Sequence, residues 1–133
     1  MTDLNWIAII VTGLIYFGIH MLWYFPFLFG KKWLELVGKE SEPKEKIIRD
    51  TIIMIPTSIV TVLILAIILN LTNTTTILGA IIISIILWIG FVFTVGFNQS
   101  NFNDRTSIIL FLIEYGFYLI GFLLAGIILI IWV

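Results

Sequence analysis

Cysteine is absent from this 133-residue sequence, histidine occurs once, and charged residues are scarce. Without cysteine the chain has no disulfide bond, no thiolate metal ligand and no cysteine nucleophile. One histidine does not build a usual zinc site, so we expect no metal and no other cofactor. Charged residues make up 11% of the chain, whereas roughly a quarter of the residues in an ordinary soluble domain are charged. The composition therefore excludes an ordinary soluble domain.

The few charges are also evenly balanced, with seven lysines and arginines against eight aspartates and glutamates. Such a balance leaves no basic face, so we expect no nucleic-acid partner. Catalytic patterns are missing as well, since there is no glycine-rich phosphate loop, no cluster of metal ligands and no nucleophile beside a base. The sequence favours a protein that is not an enzyme.

Hydrophobic residues make up 61% of the chain. Four apolar stretches are long enough to cross the ~30 Å hydrocarbon core of a bilayer, at about residues 5–29, 51–71, 76–97 and 107–133. Their apolar residues do not alternate strictly with polar ones, which disfavours the strands of an outer-membrane barrel. We predict an all-α fold in which residues 1–133 form a single integral membrane domain, a bundle of four transmembrane helices.

The orientation of the bundle is predicted from its basic residues, all of which fall in alternate loops. Six lie between the first and second spans and one between the third and fourth: Lys31, Lys32, Lys39, Lys44, Lys46, Arg49 and Arg105. Basic loops tend to stay in the cytoplasm, so the N and C termini are expected outside. The predicted location is the inner (cytoplasmic) membrane of the cell, with the chain crossing it several times.

The connecting segments predict local structure. Trp33, Leu36 and Val37 follow helical spacing, which predicts a short interfacial helix after helix one. We expect the threonines at residues 74–76 to cap helix three. Asp104 is expected to cap helix four in the same way.

Two prolines are typical of helix ends. Pro26 has no N–H to donate to the carbonyl of Leu22, so helix one is predicted to bend or end between Leu22 and Gly30. Pro43 is typical of the first residues of a helix. It predicts that helix two begins before the apolar part of its span.

Tryptophan and tyrosine mark the ends of the predicted spans. Trp6 and Trp132 lie near the outer ends of spans one and four, and Tyr24 and Trp33 lie near the inner end of span one. Trp88 differs from them because it falls near the middle of span three, where its indole N–H has no headgroup to bond. Helix packing and a pocket wall are the two interpretations of Trp88.

A set of glycines and aromatic residues follows a family pattern. The set is Gly18, the block Trp23-Tyr24-x-Pro26-x-x-Phe29-Gly30-Lys31-x-Trp33, Gly79, the block Trp88-Ile89-Gly90-Phe91, Gly116, Gly126 and Trp132. With this set the chain resembles the domain of unknown function 1761 family of small prokaryotic membrane proteins. The resemblance covers nearly the whole chain and implies a four-helix membrane protein with no known chemistry.

Two ionisable residues lie inside predicted spans, His20 in the first and Glu114 in the fourth. An ionisable group at a helix centre is costly, at ~2.5 to 3.5 kcal/mol for Asp, Lys or Arg, and usually faces a partner or a cavity. The two residues lie at similar depth, so we predict a hydrogen-bonded pair that Tyr24 and Tyr118 extend into a polar network. This candidate site is either a clamp that fixes helix register or a path for protons or cations.

Two functions from different classes agree with these features. The first is a non-enzymatic bundle that scaffolds or modulates membrane proteins or lipids. The alternative is a small oligomeric proton- or cation-coupled transporter or channel that uses Glu114 and His20. The expected partners are membrane lipids and, because small residues recur at helical spacing, further copies of the chain in a homo-oligomer. A water-filled cavity that reaches Glu114 favours transport, whereas a dry, packed Glu114 favours the scaffold.

Overall fold

The computed structural model describes residues 3–132, and within them the chain is helical with no strand. Its five helices are α1 (Trp6–Trp23), α2 (Gly30–Val37), α3 (Lys44–Leu71), α4 (Ile77–Phe102) and α5 (Ile108–Ile131). The middle section of α4, Trp88–Phe93, has π-helical geometry. Residues 1, 2 and 133 belong to the predicted domain, and residue 133 to the fourth predicted span, but they lie outside the described residues.

Four of these helices, α1, α3, α4 and α5, are long and apolar enough to cross a membrane. The predictions of an all-α fold and of four transmembrane helices are confirmed, and the chain is a multi-pass membrane protein. α2 is the short helix predicted after helix one. It ends at Gly38, whose φ of 77° is the left-handed conformation that commonly closes a helix.

α1 ends at Trp23, inside the predicted interval. Beyond it the chain makes a compact turn, in which the Phe29 N–H donates to the Trp23 carbonyl (3.2 Å). The Gly30 N–H donates to the Phe25 carbonyl (3.1 Å). This turn needs glycine at residue 30, because a Cβ there would overlap the Tyr24 carbonyl oxygen. α2 therefore starts very close to the end of α1.

The starts of α3 and α4 agree with the sequence predictions, and the start of α5 does not. α3 begins directly after Pro43. α4 is capped by Thr76, whose hydroxyl accepts a hydrogen bond from the first turn (3.1 Å). α5 is capped by Ser107, so the prediction of Asp104 as the cap is wrong. Asp104 has a φ of 55° and lies in the turn before the helix, too far from its free N–H groups to cap them.

α5 lies at the centre of the bundle and packs against the other four helices. α1 and α3 also pack against each other, while α4 contacts mainly α5 and is the least buried of the four long helices. Phe117 of α5 is completely buried. Close approach of α1 depends on Gly121, where a Cβ would lie 2.5 Å from the Tyr16 ring. This packing leaves one end of the bundle open beside α2, which we call the α2 end.

Candidate functional site

A cleft of about 760 Å³ enters the bundle at the α2 end. Its walls are formed by α1, α2, α3 and α5, and its volume is typical of a small-molecule site. The lining residues whose side chains carry a polar group are His20, Tyr24, Trp33, Ser41, Glu42, Lys46, Asp50, Thr51, Arg105, Glu114, Tyr115 and Tyr118. The other lining residues are Met21, Phe25, Pro26, Gly30, Leu34, Ile47 and Met54.

All four residues of the predicted polar site, His20, Tyr24, Glu114 and Tyr118, line this one cleft. Their arrangement differs from the predicted hydrogen-bonded network. Among the described residues, no hydrogen bond joins His20 to Glu114. The His20 ring stacks instead on Phe117, with the ring centroids 4.1 Å apart and the planes 7° from parallel. The imidazole is therefore held by aromatic rings and not by a carboxylate.

Glu114 pairs with a cation from the loop before α5. Its carboxylate accepts hydrogen bonds from Arg105 Nη1 (2.6 Å) and Trp33 Nε1 (3.3 Å), and 16% of its side chain is exposed. If the nine residues from Arg105 to Glu114 were all helical, the two side chains would lie far apart. α5 begins only at Ile108, so Arg105 belongs to the loop before the helix. The left-handed residue Asp104 turns the chain after α4, and the long Arg105 side chain reaches back along α5. The carboxylate is thus paired locally.

Three tryptophans donate their indole N–H groups to three successive residues of α5. They come from α1, α2 and α4, so one short stretch of α5 holds three other helices. We call these tryptophans together with residues 113–115 the indole anchor. The pairs are Trp23 with the Ile113 carbonyl (2.9 Å), Trp33 with the Glu114 carboxylate (3.3 Å) and Trp88 with the Tyr115 carbonyl (2.8 Å).

Trp88 begins the π-helical section of α4. Its indole N–H, which has no headgroup within reach at mid-span, finds an acceptor in the backbone of α5. Trp88 is not among the residues that line the cleft. The geometry therefore favours helix packing over a pocket wall. Directly after this section the Thr94 hydroxyl donates to the carbonyl of Gly90, which lies within it (2.7 Å).

The residues of the family pattern divide between the inside and the outside of the bundle. Lys31 and Phe91 are exposed, and Phe29 packs against the Trp23 ring with centroids 4.5 Å apart. The residues at the cleft or the indole anchor are Trp23, Tyr24, Pro26, Gly30, Trp33 and Trp88. Much of the pattern therefore describes how α1, α2 and α4 are attached to α5.

Two buried hydroxyl groups lie beyond the cleft, deeper in the bundle. The Thr12 and Tyr16 side chains are buried, and their hydroxyls have no hydrogen-bond partner among the described residues. The Tyr16 ring packs on Phe117 with centroids 5.2 Å apart, which closes the cleft behind His20. Thr12, Tyr16, His20 and Tyr24 recur every four residues and form a polar stripe along α1.

Ion pairs surround the mouth of the cleft. Glu42 lies between Lys39 (3.1 Å) and Lys46 (3.6 Å), and Lys46 also pairs with Asp50 (2.9 Å). Sequence reasoning predicts the pair of Lys46 and Asp50 from their helical spacing and gives these charges no catalytic role. It also misses Arg105, although a carboxylate inside a span needs a cation and Arg105 is the nearest one in sequence. Within residues 3–132, no group of three histidine, aspartate or glutamate residues could hold a metal ion.

Comparison with known proteins adds a family and no activity. No curated protein and no solved structure matches the chain. The sequence profile described as "Protein of unknown function (DUF1761)" matches residues 7–130, a range that contains the indole anchor and every residue that lines the cleft. The match confirms the resemblance that the glycines and tryptophans carry, and the chain belongs to this family of proteins of unknown function.

Proposed function

We propose that this membrane protein is non-enzymatic and binds an amphipathic molecule in the cleft, and that it modulates the surrounding membrane through that binding. The observation that carries the proposal is the cleft itself, about 760 Å³ between four helices. An opening of this size is large enough to hold a small molecule. Ligand sites in helical proteins lie in such openings between helices.

The lining suits a molecule with one polar and one apolar end. Met21, Ile47 and Met54 supply apolar surface, and methionine adapts to ligands of different shape. Ser41 and Asp50 supply polar atoms. An amphipathic molecule would lie with its apolar body along the methionines and its head group against the polar side chains of the lining. Binding of this kind requires no catalytic group.

The proposal includes an orientation for the cleft. The seven basic residues all lie in the two connections at the α2 end of the bundle, which include α2 itself and the first turns of α3. By the positive-inside rule these loops face the cytoplasm, and both termini lie outside the inner membrane. The cleft would then open to the cytoplasmic leaflet, where an amphipathic molecule enters from the lipid or from the cytoplasm.

Filling the cleft tests the proposal. Met54→Trp would occupy the apolar part of the cleft, while Met54→Leu keeps its volume and serves as the matched control. Each protein is purified in lipid nanodiscs, and the small molecules released on denaturation are identified by mass spectrometry against empty nanodiscs. We expect the same molecules from the wild type and Met54→Leu, and their loss from Met54→Trp. Retention of these molecules by a folded Met54→Trp protein, or none from the wild type, would contradict the proposal.

The second candidate is a small oligomeric proton- or cation-coupled transporter or channel that uses Glu114 and His20. It is favoured by the cleft, which reaches Glu114, and by the polar stripe of α1, in which the buried hydroxyls of Thr12 and Tyr16 continue the line of His20 away from the cleft. Buried polar groups without partners are costly in a membrane, which is why they often mark ion or proton paths.

Proton uptake into liposomes tests this second candidate. Glu114→Gln removes the titratable carboxylate and keeps the side-chain shape, while Glu35→Gln changes an exposed glutamate outside the cleft. If the protein transports protons, an internal pH-sensitive dye reports uptake by the wild type and Glu35→Gln and none by an assembled Glu114→Gln protein. Equal uptake by all three proteins, or no uptake above empty liposomes, would exclude this use of Glu114.

A further inference from the structure

We infer that the cleft selects a cationic ligand, an organic ammonium group on an apolar body, and that this cation takes the place of Arg105 beside Glu114. The inference rests on the proposed function, namely that the cleft binds an amphipathic molecule. It adds the charge and the chemical class of the head group. Three independent features of the lining lead to it: aromatic faces, a displaceable ion pair and the balance of charges.

Four aromatic side chains, His20, Tyr24, Trp33 and Tyr118, contact one another in the wall of the cleft. The Tyr24 and Trp33 rings are 84° from parallel, with centroids 5.9 Å apart. The His20 ring lies 5.7 Å from both the Tyr24 and the Tyr118 rings. Aromatic side chains gathered in the wall of a cleft can bind quaternary and substituted ammonium groups, as aromatic cages do.

Trp33 already holds an ammonium group of the chain itself. The Lys39 Nζ lies 5.9 Å from the centroid of the Trp33 ring, within the range of a cation–π contact. Lys39 follows Gly38, the residue that ends α2, and its side chain is 48% exposed. The Trp33 ring therefore already takes part in a cation–π contact, with a lysine that also pairs with Glu42 (3.1 Å).

Glu114 supplies the negative charge beside these rings, and its cationic partner is positioned to leave. The Arg105 guanidinium that pairs with it belongs to the short loop before α5 and is 43% exposed, while the carboxylate is 16% exposed. The arginine is thus held from the solvent side of a mostly buried anion. An entering ammonium group would release Arg105 to water and keep Glu114 neutralised.

The other charges of the cleft offer an anionic head group no unpaired cation. The lining contains three carboxylates and two basic side chains. Both basic side chains are already in ion pairs, Lys46 with Glu42 and Asp50, and Arg105 with Glu114. An anionic head group would meet no spare positive charge and would have to break one of these pairs, leaving a carboxylate without its partner.

Three ligands that share a benzyl group test the inference. They are benzyltrimethylammonium, the neutral isostere neopentylbenzene and the anion phenylmethanesulfonate. The protein carries fluorotryptophan, sits in phosphatidylglycerol nanodiscs, which have no ammonium head group, and is followed by fluorine NMR. We expect the cation to shift the Trp33 resonance saturably, with a Kd about tenfold lower than that of either analogue. Trp6, at the opposite end of the bundle, should not respond.

Two variants give opposite expected changes. Glu114→Gln should weaken cation binding about tenfold, because the ammonium group loses its carboxylate. Arg105→Gln should tighten it about threefold, because a half-exposed ion pair no longer competes with the ligand. Glu35→Gln should leave the Kd unchanged. If the pair of Arg105 and Glu114 were only structural, both variants would weaken binding, and that result would overturn the inference.

Lipid exchange identifies the source of the ammonium group. A shift of the Trp33 resonance when phosphatidylcholine replaces phosphatidylglycerol, before any ligand is added, would support the inference with a lipid head group as the cation. A shift with benzyltrimethylammonium alone would support it with a free organic cation.

The failure of this inference is distinguishable from failure of the proposed function. A Trp33 shift as strong with the neutral or anionic analogue as with the cation would overturn the cationic class, while the cleft would remain a binding site. If no ligand or lipid shifts Trp33, the inference is overturned. The release of small molecules in the Met54→Trp comparison then decides separately whether the cleft binds anything.

Discussion

Gly30 is the residue on which the shape of the cleft mouth depends. Its α-carbon lies against the Tyr24 carbonyl, where no side chain fits. We predict that Gly30→Ala opens the turn between α1 and α2 and lowers the free energy of unfolding by about 1–3 kcal/mol, as overpacking usually does. Because α2 carries Trp33, the contact between Trp33 and Glu114 should be lost as well. Unfolding in mixed detergent and fluorine NMR of Trp33 measure the two effects.

Gly18 provides the matched control for that change. It lies in α1, and a Cβ added there meets no atom within 4 Å. Gly18→Ala should leave the Trp33 resonance unchanged and the stability equal or slightly higher, since alanine is the better helix former. Equal losses in Gly18→Ala and Gly30→Ala would show that the turn does not depend on the close approach at residue 30.

At this scale, sequence reasoning finds the ionisable residues of the site and misses how they are paired. Glu114 and His20 stand out because each interrupts an apolar run. The partner of Glu114 is set by the left-handed turn at Asp104, which brings Arg105 back along α5. The position of His20 is set by its stacking on Phe117, a contact between two helices. Hydrophobic periodicity contains neither kind of information.

α4 is attached to the bundle mainly through α5, and Trp88 is its polar contact in the indole anchor. We predict that Trp88→Phe, which keeps an aromatic ring and removes the N–H donor, lowers the free energy of unfolding by about 1 kcal/mol, the usual net value of a hydrogen bond. Because the π-helical section begins at this residue, hydrogen exchange of its backbone amides should also increase.

Trp6→Phe is the control, because Trp6 is exposed at the far end of α1. It should change neither the stability nor the exchange of α4. If Trp88→Phe behaves like Trp6→Phe in both measurements, the hydrogen bond to α5 contributes nothing to holding α4, and the small residues between the two helices would be sufficient.

The helices themselves are largely predictable. Apolar runs long enough for a bilayer locate all four spans, and the end of α1 and the start of α3 follow from single prolines. The sequence places the end of helix three near residue 97, whereas α4 continues to Phe102 through amide side chains that look like a loop. The π-helical section is not predictable from a periodicity of 3.6 residues, because it depends on what Trp88 contacts.

The whole molecule has an asymmetric distribution of basic charge, and its orientation follows from it. The natural sequence contains no cysteine, so single cysteines report position without interference. We predict that a cysteine at Ser41 is labelled by an impermeant thiol reagent only after the cells are opened, and that one at Thr75 is labelled in intact cells. Both residues are exposed and lie outside the helices. Labelling of both from the same side would refute the proposed topology.

We propose that α4 is the surface through which copies of the chain associate in the membrane. It is the least buried of the four long helices, and its Phe91 is 73% exposed. We predict that Phe91→Cys forms a disulfide-linked dimer on mild oxidation in membranes. Ile52→Cys, on an exposed position of α3, is the control and should remain monomeric. Equal crosslinking at both positions would indicate random collisions and contradict association through α4.

Synthesis delivers α5 to the membrane after the other described helices, yet α5 is the helix to which they attach. Until it arrives, the indole N–H groups of Trp23 and Trp88 have no acceptor from α5, and Trp33 has no carboxylate beside it. The nascent chain therefore passes through a stage in which α1 and α3 can already pack on each other while α4 still lacks its main partner helix. Membrane proteases that recognise loosely held helices would act at that stage, so we expect the insertion of α5 to protect α4 from degradation.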